Sequence, residues 1–358
     1  MLNEMLLKKR CIMVCGGGGV GKTTIAASIA IAAAKIHSRV LVVTIDPAKR
    51  LLQAFGFKNA FTEEGGEPVF LSLEVKEKLG LGADSNLSIA VLNPKYVLNQ
   101  ILEQTLTPMQ QERLKRTVLF AELSQMIYGL QEYTAYEWVT RMIQNNEYDL
   151  IVLDTPPAFH AKDFFNAPEK IRNLMESRVF QLFLPKKTWL GNLLSFGWVE
   201  KLLGNSLFGE SKVFFEMFTS LRTRILERCE SLSKFFKNHD VAVIAVSTVE
   251  SSAELELAGL LNFLKVKEIP VAALVVNQLE LEGESQDKSS SRNETIPLVL
   301  QAKFDLLKQN QEARFQLARA RFASLKARYP QLLMVPVAMN FSKDGFKILR
   351  ITALELGN

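Results

Sequence analysis

The sequence predicts a doubly wound α/β fold with a mostly parallel sheet, a glycine-rich loop after the first strand and an inserted α-helical subdomain. Short runs rich in Val and Ile recur along the chain, and helical segments lie between them. The runs are apolar at nearly every position, which is typical of strands buried on both faces of a parallel sheet. Strands that alternate with helices in this way favour a doubly wound architecture.

The whole chain, residues 1–358, is interpreted as one domain built on these strands. The predicted strands are Cys11–Cys15, Val40–Ile45, Leu87–Leu92, Leu150–Leu153, Val241–Val246, Val271–Val276 and Leu332–Val335. Two stretches, about residues 95–145 and 165–238, lack strand signals and are interpreted as helical insertions that pack together on the sheet. The second carries Phe214, Phe218, Leu221 and Ile225 at helical spacing. The polar segment at about 280–294 is predicted to be a flexible loop.

Composition limits the possible classes of protein. The net charge of +5 is small beside 43 basic and 38 acidic residues, so no nucleic-acid partner is expected. The three cysteines form no CxxC pair, and two of them, Cys11 and Cys15, belong to a core strand, as in a reducing compartment. The start of the chain does not resemble a signal peptide. The longest apolar stretch of the whole sequence, Ile25–Ala34, has about half the ~20 residues that a membrane span needs, so a cytoplasmic protein is expected.

The glycine-rich loop fits the phosphate-binding pattern GxxxxGK[ST], with a strand before it and an alanine-rich helix after it. The predicted ATP-binding residues are Gly16, Gly17, Gly18, Gly19, Val20, Gly21, Lys22, Thr23 and Thr24. Glycines let the backbone N–H groups surround a phosphate, and the helix N-terminus adds its dipole. Lys22 is predicted to bridge the β- and γ-phosphates, and Thr23 to bind Mg²⁺. The alternative is a glycine-rich turn with an incidental lysine, which the flanking strand and helix disfavour.

Further motifs follow other predicted strands. They are Asp46-Pro47-Ala48-Lys49-Arg50-Leu51, Asp154-Thr155-Pro156-Pro157 and Asn277-Gln278. Together with GGVGKTT, these motifs resemble the ArsA and tail-anchored-protein targeting ATPases, a branch of the deviant P-loop class that also holds the MinD and ParA proteins. The resemblance runs from near the N-terminus to the last strand. It is greatest for the bacterial ArsA-like "anion-transporting ATPase" group.

The resemblance implies roles for two aspartates. Asp46 resembles the switch aspartate that positions or deprotonates the attacking water, which makes it a catalytic residue together with Lys22; the alternative is a turn residue before Pro47. Asp154 resembles the residue that holds magnesium through water. The alternative for Asp154 is a helix N-cap, which the following prolines disfavour because they argue against an immediate helix.

The resemblance also implies an adenine site and a partner subunit. Asn277 resembles the residue that reads the adenine edge with an amide donor and acceptor, and the absence of an NKxD motif favours ATP over GTP. Pro336 and Val337, placed after the last strand, resemble a second adenine-contacting loop. A homodimer, or a heterodimer with a related subunit, is expected.

The chain departs from the family pattern at Gly17, where relatives carry a lysine that reaches the partner's phosphates. Lys49 or Arg50 substitutes for that cation, or a partner subunit provides it, or hydrolysis is slow; the alternative for Lys49 and Arg50 is a solvated pair on a switch loop. The zinc-binding CxxC motif of the eukaryotic targeting factors is missing, and so is the cysteine triad that binds arsenite, so metalloid transport is not expected.

The main functional hypothesis is an Mg-ATP-driven dimeric switch that binds and releases a hydrophobic or membrane-protein client. It is motivated by aromatic and aliphatic residues in the second insertion, namely Phe183, Trp189, Leu190, Leu194, Phe196, Trp198, Leu203 and Phe208. The alternative is that these side chains form the core of the insertion. Competing functions are an ATPase subunit of a membrane export system and a weakly hydrolysing nucleotide-binding scaffold. A MinD-like positioning role is disfavoured by the tail Phe346–Asn358, which is not a basic amphipathic helix.

Overall fold

An eight-stranded sheet organises the part of the chain described by the computed structural model, which covers residues 2–45, 50–57, 66–117, 120, 131–156, 158–177, 217, 219–280, 298–340, 342 and 344–357. The strand order is β3-β4-β2-β5-β1-β6-β7-β8. The strands are β1 Cys11–Gly16, β2 Arg39–Thr44, β3 Val69–Phe70, β4 Asn86–Val91, β5 Leu150–Asp154, β6 Val241–Ser247, β7 Val271–Leu279 and β8 Leu333–Ala338. Strand β1 lies near the middle, between β5 and β6.

The sheet confirms the predicted fold class. Every neighbouring pair is parallel except β3 with β4, and all the strands read from the sequence are present, with ends shifted by a few residues. Strand β3 has no counterpart among the predicted strands, because a two-residue edge strand is too short to display an apolar pattern. Parallel order brings the carboxyl ends of the central strands to one edge, where ligands bind in open α/β sheets.

Helices cover both faces of this sheet. In the described ranges they are Leu2–Lys8, Lys22–Ala33, Arg50–Ala54, Leu73–Leu79, Pro94–Thr105, Pro108–Lys115, Gln131–Gln144, Ala158–Glu176, 219–235, Ser251–Val266, Leu298–Arg328 and Gly345–Gly357. Local sequence sets several of their ends. Thr107 and Gln110, for example, form a capping box around the start of Pro108–Lys115.

One face of the sheet packs against the alanine-rich helix that follows the glycine loop. That helix, Lys22–Ala33, is buried along nearly its whole length, and the C-terminal helix Gly345–Gly357 packs over it. A helix buried on all sides needs no polar face, which explains its almost unbroken run of Ala and Ile. The packing fixes the helix start, and with it Lys22, against the sheet.

The other face packs against the described parts of both helical insertions. Tyr136, Trp138, Phe164 and Phe236 share one core with that face of the sheet, and the ring centroids of Tyr136 and Phe164 lie 4.2 Å apart. Cys11 and Cys15 point into this core, as predicted, and burial raises the pKa of each thiol to about 12. The grouping of the insertions into a subdomain stays a prediction.

The second insertion differs from its predicted start. Its first helix begins at Ala158, earlier than residue 165, because prolines before a helix are compatible with its first turn. Leu221 and Ile225 are buried on helix 219–235, as their spacing predicts. The remaining members of that stripe, the aromatic segment of residues 183–208 and the loop of residues 281–294 lie outside the described residues.

Candidate nucleotide-binding site

The glycine-rich loop connects the end of β1 to the start of helix Lys22–Ala33, as the motif requires. Gly19 and Gly21 have φ angles of 77° and 87°, a region that side chains other than glycine adopt at a cost. Gly16 has a different constraint, since a Cβ atom there would lie 2.2 Å from the carbonyl oxygen of Val246 in β6. These glycines therefore allow the tight loop and its close approach to the neighbouring strand.

Asn277, near the end of β7, contacts the same loop. Its Nδ2 donates a hydrogen bond of 2.9 Å to the carbonyl of Val20, and a Cβ atom on Gly21 would lie 2.3 Å from that nitrogen. The side chain is largely buried. The structure therefore brings Asn277 and the loop together, and the adenine-reading role of Asn277 stays a prediction.

Lys22 lies at the centre of the site. Its Nζ donates a hydrogen bond of 2.6 Å to the carbonyl of Gly17, so the lysine folds back over its own loop. Burial lowers the pKa of its ammonium below the ordinary value, and the positive charge of Arg50 acts in the same direction. The carboxylates of Asp154 and Glu256 oppose this shift. Arg50, one of the two suggested substitute cations, thus lies close enough to affect the loop electrostatically.

Asp154 accepts hydrogen bonds from hydroxyl groups of two other elements at the carboxyl edge of the sheet. Its Oδ2 accepts hydrogen bonds from Thr23 Oγ1 at 2.8 Å and from Thr44 Oγ1 at 3.1 Å. The aspartate is 2% exposed. Since Asp154 is the last residue of β5, it is not a helix N-cap, although a helix does begin at Ala158 despite the intervening prolines. Hydroxyl and carboxylate oxygens are the donors that Mg²⁺ prefers, so these residues fit a magnesium ion.

Glu256 is a contact that the motifs did not predict. It belongs to helix Ser251–Val266, and its Oε2 accepts a hydrogen bond of 3.2 Å from the backbone N–H of Gly18. A Cβ atom at Gly17 would lie 2.4 Å from the same oxygen. No motif marks this glutamate, because only the packing of its helix beside β1 brings it to the loop.

Of the other predicted site residues, the structure describes some and not others. Asp46 and Lys49 lie outside the described residues. Pro336 and Val337 lie inside strand β8, which continues to Ala338, and not in a loop after it. The sequence boundary was wrong because Pro336 interrupts the apolar pattern, whereas β8 continues through it: Pro336 pairs with Val276 of β7, and the register shifts before Ala338. Val337 is buried in the core on the face of the sheet that packs against helix Lys22–Ala33. The adenine-contacting role of Pro336 and Val337 stays a prediction.

A cavity of about 270 Å³ opens beyond Asn277, at the carboxyl ends of β6, β7 and β8. Its lining includes Thr248, Gln278, Arg314, Arg321 and Met339. Gln278 has a φ of 56°, an uncommon angle for a residue with a side chain, and it lies beside this cavity where the pairing of β7 with β8 shifts register. Met339, just after β8, is among the residues that line this cavity, and the sequence motifs did not single it out.

Among the described residues, no helix combines the length and apolarity that crossing a membrane would require.

The parallel sheet, the loop Gly16–Thr24 and the acidic residue at the end of a neighbouring strand define a P-loop ATPase. A family model described as anion-transporting ATPase matches residues 9–309. The chain therefore belongs to this family, the ArsA ATPases, and is an ATP-hydrolysing enzyme of the P-loop class. The family assignment inferred from the motifs is confirmed.

Similar proteins carry names of the same kind. A protein named ATPase get3 from Schizosaccharomyces pombe is 28% identical over 274 residues, which cover 76% of this chain and 74% of that protein. A protein named ATPase ASNA1 homolog from Babesia bovis is 24% identical over 335 residues, which cover 89% and 82% of the two chains. A Paramecium tetraurelia protein named ATPase ASNA1 homolog 2 is 25% identical over 272 residues, 75% of each chain.

Proposed function

We propose that this ATPase binds Mg-ATP in the loop Gly16–Thr24 and works as a nucleotide-driven dimeric switch for a hydrophobic or membrane-protein client. The observation that carries the nucleotide part is the double hydrogen bond to Asp154, from Thr23 of the loop and Thr44 of β2. It places a carboxylate, a loop hydroxyl and the strand that leads to Asp46 at one point. Family membership supports the same reading.

The loop provides the groups that bind phosphate. Its glycines leave backbone N–H groups accessible, and helix Lys22–Ala33 adds the positive end of its dipole. Lys22 exchanges the carbonyl of Gly17 for the phosphates when ATP enters, because a charged oxygen is a stronger acceptor than a neutral one. Asn277 and the cavity beside it are suited to hold the base at the other end of the nucleotide.

In this proposal Thr23 and Asp154 would hold Mg²⁺, the threonine through its hydroxyl and the aspartate through water. When bound, the ion neutralises phosphate charge. The buried negative charge of Asp154 would attract the cation, and the hydrogen bond from Thr44 fixes the orientation of the Asp154 carboxylate. Since Thr44 stands two residues before Asp46, a rearrangement at the phosphates reaches the residue that is proposed to position the attacking water.

Asp154→Asn tests this assignment, because it removes the charge and keeps the shape. Mg²⁺ should no longer strengthen ATP binding, and turnover should fall by about 10²-fold or more. Asp149→Asn is the matched control. Asp149 precedes the other end of β5, where its carboxylate pairs with Arg39 at 2.8 Å, far from the loop. Calorimetry with Mg²⁺ and with EDTA, together with phosphate release, decides the matter. An Asp154→Asn enzyme that matches wild type in both would refute the metal role.

The client and the dimer rest on the motif resemblance and on the aromatic segment of residues 183–208. ATP closes two subunits around the nucleotide, and the closed and open forms differ in affinity for the client. An Asp46→Asn variant, held in the ATP state, should retain membrane-protein segments in a pull-down with Mg-ATP and release them with ADP. Mass spectrometry identifies them, with Lys22→Met as the variant that cannot enter the ATP state. Equal capture by both variants would contradict the switch.

We also place the protein in the cytoplasm, because Cys11, Cys15 and Cys229 are free, buried thiols. Cell fractionation that finds the protein only in an oxidising compartment would contradict this location.

A weakly hydrolysing scaffold is the second candidate, and a specific observation favours it. Gly17 occupies the place of the family lysine, and a carboxylate, that of Glu256, lies beside it instead of a cation. Tight ATP binding without measurable phosphate release from the wild-type dimer would select this function over the switch.

A further inference from the structure

The phosphate-binding groups of the loop are engaged by the chain itself. The N–H of Gly18 donates to the carboxylate of Glu256 at 3.2 Å, and the ammonium of Lys22 donates to the carbonyl of Gly17 at 2.6 Å. Glu256 thus places a negative charge on a loop that is built to receive negative phosphates. Its charge also reaches Lys22, whose pKa it raises against the effect of burial.

Packing explains how a glutamate of helix Ser251–Val266 arrives there. Leu257 is buried and Leu255 is 77% exposed, so Glu256 lies between the buried and the exposed face of its helix. From that position its carboxylate contacts the loop. Gly17 makes the contact possible, because any Cβ atom at that position would lie 2.4 Å from Glu256 Oε2. The residue that replaces the family lysine therefore leaves the space that the carboxylate uses.

We propose that Glu256 is an internal competitor for the phosphate site, whose carboxylate must leave the Gly18 N–H before ATP binds. A carboxylate oxygen and a phosphate oxygen cannot occupy the same N–H group, and their charges repel at such short distance. This proposal rests on ATP binding at the loop. It makes Glu256 a residue that sets nucleotide affinity and discriminates between nucleotides, because the repulsion grows with the number of phosphate charges.

The side chain of Glu256 is free to leave. Glu256 is exposed, so rotation about its side-chain bonds carries the carboxylate into water without moving the helix. Solvent screens an exposed charge, which limits the effect on affinity to about 3- to 10-fold. The contact therefore weakens ATP binding without blocking it.

Two substitutions separate charge from hydrogen bonding. Glu256→Gln removes the charge and keeps an acceptor, whereas Glu256→Ala removes both. Each should bind Mg-ATP about 3- to 10-fold more tightly than wild type, with a smaller gain for Mg-ADP. Glu254→Gln is the matched control, because it removes the same charge from the same helix but from a carboxylate that pairs with Arg328. Its affinities should stay within about 2-fold of wild type.

Calorimetric titration of the full chain with ATP and ADP gives the result. Unchanged or weaker ATP binding in both Glu256 variants, or an equal gain in Glu254→Gln, would overturn the proposal. Thermal unfolding without nucleotide verifies that the variants are folded. Failure of the two ideas is distinguishable: wild-type protein that does not bind ATP would refute the proposed function and this inference with it, whereas normal wild-type binding with no gain at Glu256 would refute only the inference.

Discussion

At the scale of single residues, the site depends on a buried charge. Lys22 is only 8% exposed, and its ammonium is held by a loop carbonyl in place of water. Burial disfavours the charged form and lowers its pKa, so part of the folding free energy is used to keep a cation where phosphate binds. Lys22 is therefore costly for stability, and we predict that ATP binding requires it.

Lys22→Met tests both the cost of Lys22 for stability and its role in ATP binding. The variant keeps the apolar stem and removes the cation, so ATP affinity should fall by about 100-fold or more while the melting temperature stays at or above that of wild type. Lys35→Met, at an exposed position just beyond the same helix, should change neither. A variant that still binds ATP with near-native affinity in calorimetry would contradict the role of Lys22.

The lowered pKa also predicts a difference in pH dependence. Between the lowered pKa of folded Lys22 and its ordinary value of 10.5, the unfolded chain binds more protons than the folded one. The free energy of unfolding of nucleotide-free wild type should therefore rise with pH in that window relative to Lys22→Met. Urea unfolding at several pH values measures this difference, and parallel curves would show that the lysine titrates normally.

At the scale of structural elements, the site is the meeting point of strand ends. Strand β1 carries the loop, β5 ends in Asp154, β2 ends in Thr44, and β7 carries Asn277 near its end. Parallel order is what brings them together, because it aligns the carboxyl ends of neighbouring strands. The loop is held at two points by elements on one side of β1, through Asn277 and Glu256.

Gly21 is where the contact between β7 and the loop leaves least room. Gly21→Ala places a Cβ at a φ of 87° and 2.3 Å from Asn277 Nδ2, so it should destabilise the nucleotide-free protein by about 1–3 kcal/mol. Gly18→Ala is the control in the same loop, since a Cβ there meets no atom within 4 Å, and it should change stability by less than about 0.5 kcal/mol. Equal denaturation midpoints for the two variants would contradict the close contact.

At the scale of the whole molecule, the proposed dimer would have to close over ATP without the lysine that the motif resemblance implies at the position of Gly17. From the sequence alone, Gly17 indicates only that a positive charge is missing from the loop. The structure shows that the same position gives access to a carboxylate, which reverses the sign of the nearby charge. In the proposed dimer, closure over ATP should therefore be weaker than it would be with a lysine at position 17, because Gly17 supplies no cation and Glu256 adds a negative charge nearby.

Gly17→Lys probes this closure. The backbone tolerates a side chain at Gly17, and the clash is with the mobile end of Glu256, so the variant should fold. Its ammonium will pair with Glu256 of its own chain, and the full gain should therefore require Gly17→Lys with Glu256→Gln. We expect this double variant to raise turnover or tighten the ATP-dependent dimer beyond Glu256→Gln alone. Light scattering and phosphate release, each with and without ATP, measure it. Monomers with unchanged turnover throughout would exclude the dimer switch.

The sequence by itself determined the fold class, nearly all the strands and the loop Gly16–Thr24. These features are local: an apolar run, a glycine pattern and the helix that follows are contained within a few dozen residues. The boundary errors at Ala158 and in β8 involve prolines, which local rules read as breaks although helix starts and edge strands accept them.

Only the tertiary structure decided which side chains meet at the candidate site. Glu256 with Gly18, Asn277 with Val20 and Thr44 with Asp154 join residues 238, 257 and 110 positions apart in the chain. No local pattern encodes such pairs, because they depend on which helix packs beside β1 and on the register of neighbouring strands. Asp154 was recognisable from its place after an apolar strand, whereas Glu256 became visible only when its helix was packed against the loop.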